Sequence, residues 1–397
     1  MKITIHRGAR QIGGVVVEIS TDTNRVFIDI GDDLPGEAAT PFEGIEGLTV
    51  GDSVGSTLFL THYHGDHIGR LAMVMPEIPV YMGETAKKIL LNLVEIVDKD
   101  GMPKYEKIIT FKPAEKIVIG DISIMPLMVD HSAFDAYMFA VDADGRRVLH
   151  TGDFRTHGFR GVKTSKMLSV YAKSIDYIIS EGTMLSRTEK TVITERELQR
   201  RSVELMRKNK YTFALCSSTN IDRIAAFYHA SCAAGRIFVC DSYQAKQLKT
   251  VCEAHAEKSP LYDFSKILTV DHFSRVPKKL VELMDTKGFC MLIRKGRKFR
   301  SYLERYSAEG IVIYSMWKGY LRGDTADPKL VDFLSAYNHI ELHTSGHATA
   351  DTLKEIFHAV KPKKGLIPFH SEKPEGFISI IGEANVILLA DGEILYA

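Results

Sequence analysis

Four groups able to bind a metal ion fall within six positions, His62-Tyr63-His64-Gly65-Asp66-His67, directly after the apolar run Thr57-Leu58-Phe59-Leu60. In an extended segment, side chains at i and i+2 point the same way, so His62 and His64 can grip one ion together. Gly65 is expected to permit a sharp turn that sends Asp66 and His67 to a second ion nearby. Imidazole and carboxylate are ligands that zinc uses in open, catalytic sites. A lone histidine usually reports only packing, but four donors at one strand end make that reading improbable. They do not complete two metal sites, so other ligands must come from far along the chain. The candidates also sit at strand ends: His131 after the run 124–130, Asp153 after 148–150, and His370 after 366–369.

The elements that must position these groups change character along the chain. Short β-rich runs at 3–5, 15–19, 26–30 and 57–60 are separated by Gly- and Asp-rich turns, and further strands are expected at 122–129, 137–141, 147–150 and 177–179. Helical periodicity appears at 85–97. After Glu181, helices expected at 194–209 and 222–233 alternate with strands at 213–216, 236–240 and 311–314. That rhythm implies a parallel α/β unit. Then come a strand at 340–342, a helix at 349–360, a strand at 365–369 and closing strands near 386–389 and 394–396. No Pro/Gly/Ser linker marks the change, so the second unit reads as inserted rather than appended.

With 397 residues, the chain exceeds one typical domain. No apolar run approaches the ~18–20 residues of a membrane span. The start, Ile3-Thr4-Ile5-His6-Arg7-Gly8, lacks the apolar core of a signal peptide. A cytoplasmic protein with no membrane partner is expected. Five cysteines, odd in number and without a CxxC pair, argue against a disulfide scaffold and a cysteine-based zinc site.

The ordered set Asp29, His62-x-His64-x-Asp66-His67, His131 and Asp153 resembles the four signature motifs of the metallo-β-lactamase superfamily. The opening Gly8-Ala9-Arg10-Gln11-Ile12-Gly13-Gly14 looks like the N-terminal strand-turn of its nucleic-acid-processing members. Three later features resemble the β-CASP branch: Glu181 its acidic motif A, His347 in Ser345-Gly346-His347 its motif B, and His370 in Phe369-His370-Ser371 its motif C. The resemblance implies an αββα sandwich from residues 1–185 and 341–397, with a β-CASP α/β domain inserted at 186–340. It implies two Zn²⁺, with other divalent metals such as Mn²⁺ as substitutes. His62, His64 and His131 would hold the first ion and Asp66, His67 and His370 the second, with Asp153 bridging both. Asp29 would orient a ligand imidazole through its other nitrogen. Water activated between the ions would attack a phosphodiester, Asp66 would belong to the catalytic group, and His347, oriented by Glu181, would donate or relay a proton to the leaving oxygen. His370 points to RNA, because RNA-cleaving members typically have His at motif C. The shape resembles ribonuclease J and the pre-mRNA 3′-end processing endonucleases. The chain ends shortly after His370, so the C-terminal dimerisation domain of ribonuclease J is not expected. The segment Met316-Trp317-Lys318-Gly319-Tyr320-Leu321 lies outside the resemblance.

The formal charge of +1 argues against a nucleic-acid partner only when taken whole. Residues 186–340 carry 27 Lys+Arg against 17 Asp+Glu, a surplus of ten, and the rest of the chain carries a deficit of nine. Arg294, Lys295, Arg297, Lys298 and Arg300 crowd one strip of the insert, with Phe289, Phe299 and Tyr302 interleaved. Cations and aromatic rings together suit single-stranded RNA, held between the two domains. A solvated basic face is the competing reading. Ser218, Asn220 and Arg223 lie between a strand and a helix, where amides and hydroxyls can receive phosphate; a plain helix cap is the alternative. The function expected is a zinc-dependent ribonuclease. The alternatives are a β-CASP nuclease on single-stranded DNA, a small-molecule metallo-hydrolase, and, last, a non-catalytic RNA-binding subunit.

Overall fold

The computed structural model describes residues 1–34, 41–187, 192–323 and 325–397. It divides into two compact units: Met1–Thr156 with Arg160–Thr191 and Gly346–Ala397, and His157–Phe159 with Val192–Ser345.

In the first unit, β1 (Lys2–Arg7), β2 (Val16–Ser20), β3 (Arg25–Ile28), β4 (Ser56–Phe59), β5 (Val80–Gly83) and β6 (Ile109–Phe111) follow one another across one sheet. A second sheet is built from β7 (Ile117–Ile119), β8 (Ile122–Val129), β9 (Ala136–Ala143), β10 (Arg146–His150) and β11 (Tyr177–Glu181). Alternation in these strands divides the side chains between two cores. On β9, Tyr137, Phe139 and Val141 join Ile3, Ile5, Val17 and Ile28 of the first sheet in one buried cluster. Ala136, Met138 and Ala140 face the other way, onto Leu168, Leu353, Ile356 and Phe377 of the outer helices. The amphipathic helix Glu84–Val97 buries Ile89, Leu90 and Val94 beside β5 and β6. The result is an α/β sandwich of helices outside and two sheets inside.

The second unit contains β12 (Tyr211–Leu215), β13 (Ile237–Cys240), β14 (Ile267–Thr269), β15 (Phe289–Ile293), β16 (Gly310–Tyr314) and β17 (His339–Glu341). They pair in the order β14-β13-β15-β12-β16-β17, every pair parallel. The central strands β12, β15 and β16 are buried at every position, as a parallel sheet covered on both faces requires. β17 pairs with β16, which keeps residues 339–345 with this unit, beyond the expected limit at 340.

Back in the first unit, β18 (Gly365–Phe369) adds to β11 and β19 (Ile394–Tyr396) adds to β1. The strand expected near 386–389 does not form: Val386 makes only an isolated bridge to Leu366. Among the described residues, no helix is long and apolar enough to cross a membrane.

Candidate metal centre

All the distant donors converge because their strands end on one side of one unit. β10, β11 and β18 run parallel, so Asp153, Glu181 and His370 leave adjacent carboxyl ends. β8 reaches the same side through two antiparallel pairings and delivers His131. His62 and His64 follow β4 in extended backbone, and the short helix Gly65–Ile68 carries Asp66 and His67. The turn does not depend on Gly65, since a Cβ there would meet nothing within 4 Å. The glycine that matters is Gly31, where a Cβ would sit 1.6 Å from the Asp66 carbonyl oxygen.

Two donor groups result. His62, His64 and His131 form one, and Asp66, His67, Asp153 and His370 the other; within each, ligand atoms lie within 4.8 Å of one another. His62 Nε2 is 3.1 Å and His131 Nε2 3.3 Å from His64 Nδ1. His67 Nε2 lies 3.1 Å from Asp153 Oδ2, and His370 Nε2 lies 3.3 Å from Asp66 Oδ2.

The chemistry of the donors fits cations. Three imidazole nitrogens face one another in the first group with no carboxylate between them. Burial, reinforced by neighbouring imidazoles, pushes His62 and His131 well below the usual imidazole range. Burial likewise lowers His64 to about 4. All three are therefore neutral, the form that ligates a metal. In the second group, burial opposes ionisation of Asp66 and Asp153, but the surrounding imidazoles outweigh it and hold both carboxyls low. Burial also opposes protonation of His67, and Asp153, Asp29 and Asp66 outweigh it and raise that imidazole well above its usual range. Among the described residues, the ion pairs of Asp66 and Asp153 are with imidazoles alone, and Asp153 Oδ1 is buried without a hydrogen-bond partner. A cluster with this excess of electron pairs is completed by a cation in place of the extra proton.

Three of the ligand imidazoles have a partner on the other nitrogen that orients the ring. His67 Nδ1 donates to Asp29 Oδ2 at 2.8 Å. Asp29 also accepts from Thr61 N and Thr61 Oγ1, both at 2.7 Å. His131 Nδ1 donates to Gly346 O at 2.7 Å. His370 Nδ1 lies 2.8 Å from Thr183 Oγ1. Asp29 and His370 both hold positive φ, 62° and 49°, conformations that a non-glycine residue keeps only when its surroundings enforce them.

His347 stands beside the second group, its Nδ1 3.3 Å from Glu181 Oε2 and 3.5 Å from Asp153 Oδ2. Glu181 is fully buried, accepting from Phe154 N, Ala348 N and Thr183 N. Burial disfavours protonated His347, but Glu181 and Asp153 outweigh it and raise the imidazole to about 9.

Sequence reading missed the supports: Thr61, Thr183, the Gly346 carbonyl and the buried pair Asp130–Arg155, which joins the residues beside His131 and Asp153 at 2.9 Å. Their partners are remote in sequence, 187 positions apart for Thr183 and His370, so spacing carries no signal of them.

The expected RNA contacts of the second unit come out differently. Arg223 is fully buried and paired with Glu195 at 3.0 Å, and it also donates to Ser315 O, Thr344 O and His343 Nδ1. It is a core ion pair, out of reach of a phosphate. Asn220 caps the helix Ile221–Ala233, and Ser218 Oγ accepts from Gln244; both are more than nine-tenths buried. Arg294 and Lys298 pair with Asp241, Lys298 also with Asp271, and Lys295 with Asp327. Among the described residues of the strip, only Arg297 and Arg300 stay exposed without an ion pair. Phe289, Phe299 and Tyr302 are core residues, so they cannot stack on bases.

No family model matches the chain. Ribonuclease J from Mycoplasma genitalium is 23% identical over 434 residues, covering 100% of this chain and 73% of that protein. Ribonuclease J from Helicobacter pylori strain J99 is also 23% identical, over 99% of this chain, which spans only 60% of that relative's length. "Probable RNase MJ4" from Methanocaldococcus jannaschii is 25% identical over 200 residues, 46% of this chain and 45% of that one. A crystal structure of a protein of unknown function from Enterococcus faecalis V583 superposes with a TM-score of 0.79 at 22% identity, covering 99% of both chains.

Proposed function

With the chain a ribonuclease J-like member of the metallo-β-lactamase/β-CASP family, we propose that it is a zinc-dependent ribonuclease hydrolysing phosphodiesters of single-stranded RNA. The observation that carries this reading is the pair of adjacent donor groups, with the His62 and His67 rings 4.1 Å apart, and the acid pair Glu181–His347, 3.3 Å across, beside the second. His62, His64 and His131 would hold one ion, Asp66, His67 and His370 the other, and Asp153 would touch both. When bound, two Zn²⁺ supply Lewis-acid polarisation of the phosphodiester and ionisation of water near neutral pH. The chain's residues do the rest. Asp29, Thr183 and the Gly346 carbonyl keep the ligand imidazoles aimed inward. Glu181 holds His347 protonated, and His347 gives that proton to the departing oxygen. Arg297 and Arg300 supply charge for the RNA backbone.

The test is product mapping on an RNA labelled at either end, with zinc measured on the same protein. RNA, single-stranded DNA and chromogenic lactam or ester substrates are compared side by side. Cleavage of RNA that is lost on chelation and restored by Zn²⁺ is expected. Turnover of DNA or small molecules with RNA left intact would overturn the proposal.

A further inference from the structure

Only part of the charge surplus of residues 186–340 is left at the basic strip, because Arg294, Lys295 and Lys298 are paired. Other cations gather at the opposite edge of the same sheet. Parallel strands are joined by helices that carry the chain back, so the turns from helix to strand line the amino ends. The register sets which of these turns are neighbours. Tyr211 of β12 stands beside Phe289 of β15, which stands beside Ile237 of β13. Lys210, Lys287-Gly288 and Arg236, just before those positions, are therefore adjacent.

Backbone contacts lock the turns together. Phe289 N donates to Lys210 O at 3.0 Å, and Ile237 N to Gly288 O at 3.2 Å. Gly288 has φ of 67°, and a Cβ there would sit 2.2 Å from Lys210 O, so glycine is what lets these two turns touch. Arg236 donates from Nε to Met206 O at 3.0 Å and from Nη1 to Lys287 O at 2.9 Å. It thereby ties the last turn of the helix Glu195–Lys208 to that of the helix Lys278–Lys287. Lys208, Lys210, Arg236 and Lys287 share one edge as a result. Lys208 and Lys287 are exposed, and Lys210 and Arg236 half-buried. Lys210 Nζ rides over the Tyr211 ring, 5.4 Å from its centroid, which holds the side chain without neutralising it. Among the described residues, none of the four forms an ion pair. The acid aligned with Lys210 is Glu309, before β16; it is exposed and forms none either.

Helix ends do not absorb this charge. Three helices finish here, at Lys208, Ala233 and Lys287. Each contributes about half a negative charge, less in all than the four cations supply. Nor does the edge suit a protein partner. Among the described residues of this unit, Val331 on the helix Pro328–Ser335 is the one large apolar side chain left exposed. The elements that bear the cations therefore lack the apolar anchor that centres protein interfaces. A fixed row of uncompensated Lys and Arg suits a phosphate backbone. β12 is 5 residues long, so this edge stands about 16 Å across the sheet from the turn carrying Ser218 and Asn220.

We propose that Lys208, Lys210, Arg236 and Lys287 form a second docking edge for the phosphate backbone of single-stranded RNA, in addition to Arg297 and Arg300. The inference rests on the ribonuclease reading above.

The test uses full-length protein carrying His64→Ala, so that substrate persists. It is titrated with a long, fluorescein-labelled single-stranded RNA at several salt concentrations while anisotropy is followed. Adding Lys208→Ala, Lys210→Ala and Lys287→Ala together is expected to weaken binding about 10-fold and to flatten the salt slope by about 2, at about 0.7 for each phosphate no longer neutralised. Lys208→Arg, Lys210→Arg and Lys287→Arg together are expected to keep the parent's slope. Arg236 is left in place because its guanidinium holds two carbonyls. Affinity and slope equal to the parent's in the triple alanine variant would overturn the docking edge and leave the ribonuclease reading standing. If that variant also unfolded at lower denaturant, the cations would serve the helix ends alone; if it instead lost binding to polyglutamate, the edge would belong to an acidic protein. No anisotropy change with any RNA, together with no cleavage by the protein without substitutions, would remove the ribonuclease reading and the edge with it. Should the triple alanine variant fail to fold by circular dichroism, Lys208→Ala with Lys287→Ala, both at exposed positions, decides through a slope change of about 1.4.

Discussion

The metal centre and the basic strip were both read from clusters of chemically apt residues, yet the two clusters behave oppositely in the folded chain. Around β4, histidines and aspartates from five distant segments come together and leave their charges compensated only by one another. Around β15, most cations find carboxylates: Asp241 and Asp271 take Arg294 and Lys298, and Asp327 takes Lys295. A metal site needs donor geometry, which strand ends preserve. An electrostatic patch needs uncompensated charge, which remote acids can remove. The lesson is that a run of like charge counts only after its partners are subtracted.

That contrast breaks most visibly at His64. His64→Ala should abolish RNA cleavage and lower metal content while RNA binding survives; equal cleavage by mutant and parent would refute the donor assignment. Arg223 tests the opposite pole. Arg223→Met removes the buried cation that pairs with Glu195, and a loss of about 3–5 kcal/mol is expected in denaturant unfolding. Unchanged stability with weakened RNA binding would return Arg223 to the interface. Smaller effects are expected at the supports. Asp29→Asn and Thr183→Val should each weaken metal affinity by about 10–100-fold, read by competition with a chelating dye. The pH profile probes His347. Its raised value keeps the imidazolium present at neutral pH, so the rate should fall as pH rises through about 9. Removing the Glu181 charge by Glu181→Gln should shift that alkaline limb to lower pH, and an unmoved limb would break the link between the two residues. The smallest effect separates exposed from paired cations. Arg297→Ala with Arg300→Ala should flatten the salt dependence of RNA binding by about 0.7 for each phosphate no longer neutralised. Lys295→Ala, already paired with Asp327, should leave the slope nearly unchanged.

Secondary structure was legible wherever periodicity was long. The helices expected at 85–97, 194–209 and 349–360 appear as Glu84–Val97, Glu195–Lys208 and Ala350–Val360. Short apolar runs were less safe. Residues 386–389 have strand composition, but their backbone makes one bridge and no ladder. Phe299 and Tyr302 looked available because they sit among arginines. They lie on the buried face of the amphipathic helix Arg297–Tyr306, where the 3.6-residue period separates them from their charged neighbours.

The sequence by itself determined which donors exist and that they stand at strand ends, because those facts depend on neighbours a few residues away. It also determined that the insert is basic, since charge is additive along a chain. Only the tertiary structure decided which groups meet. Thr183 finds His370, Gly346 finds His131 and Asp241 finds Arg294 across long stretches of chain. Such pairings follow from sheet order and burial, and no local spacing encodes them.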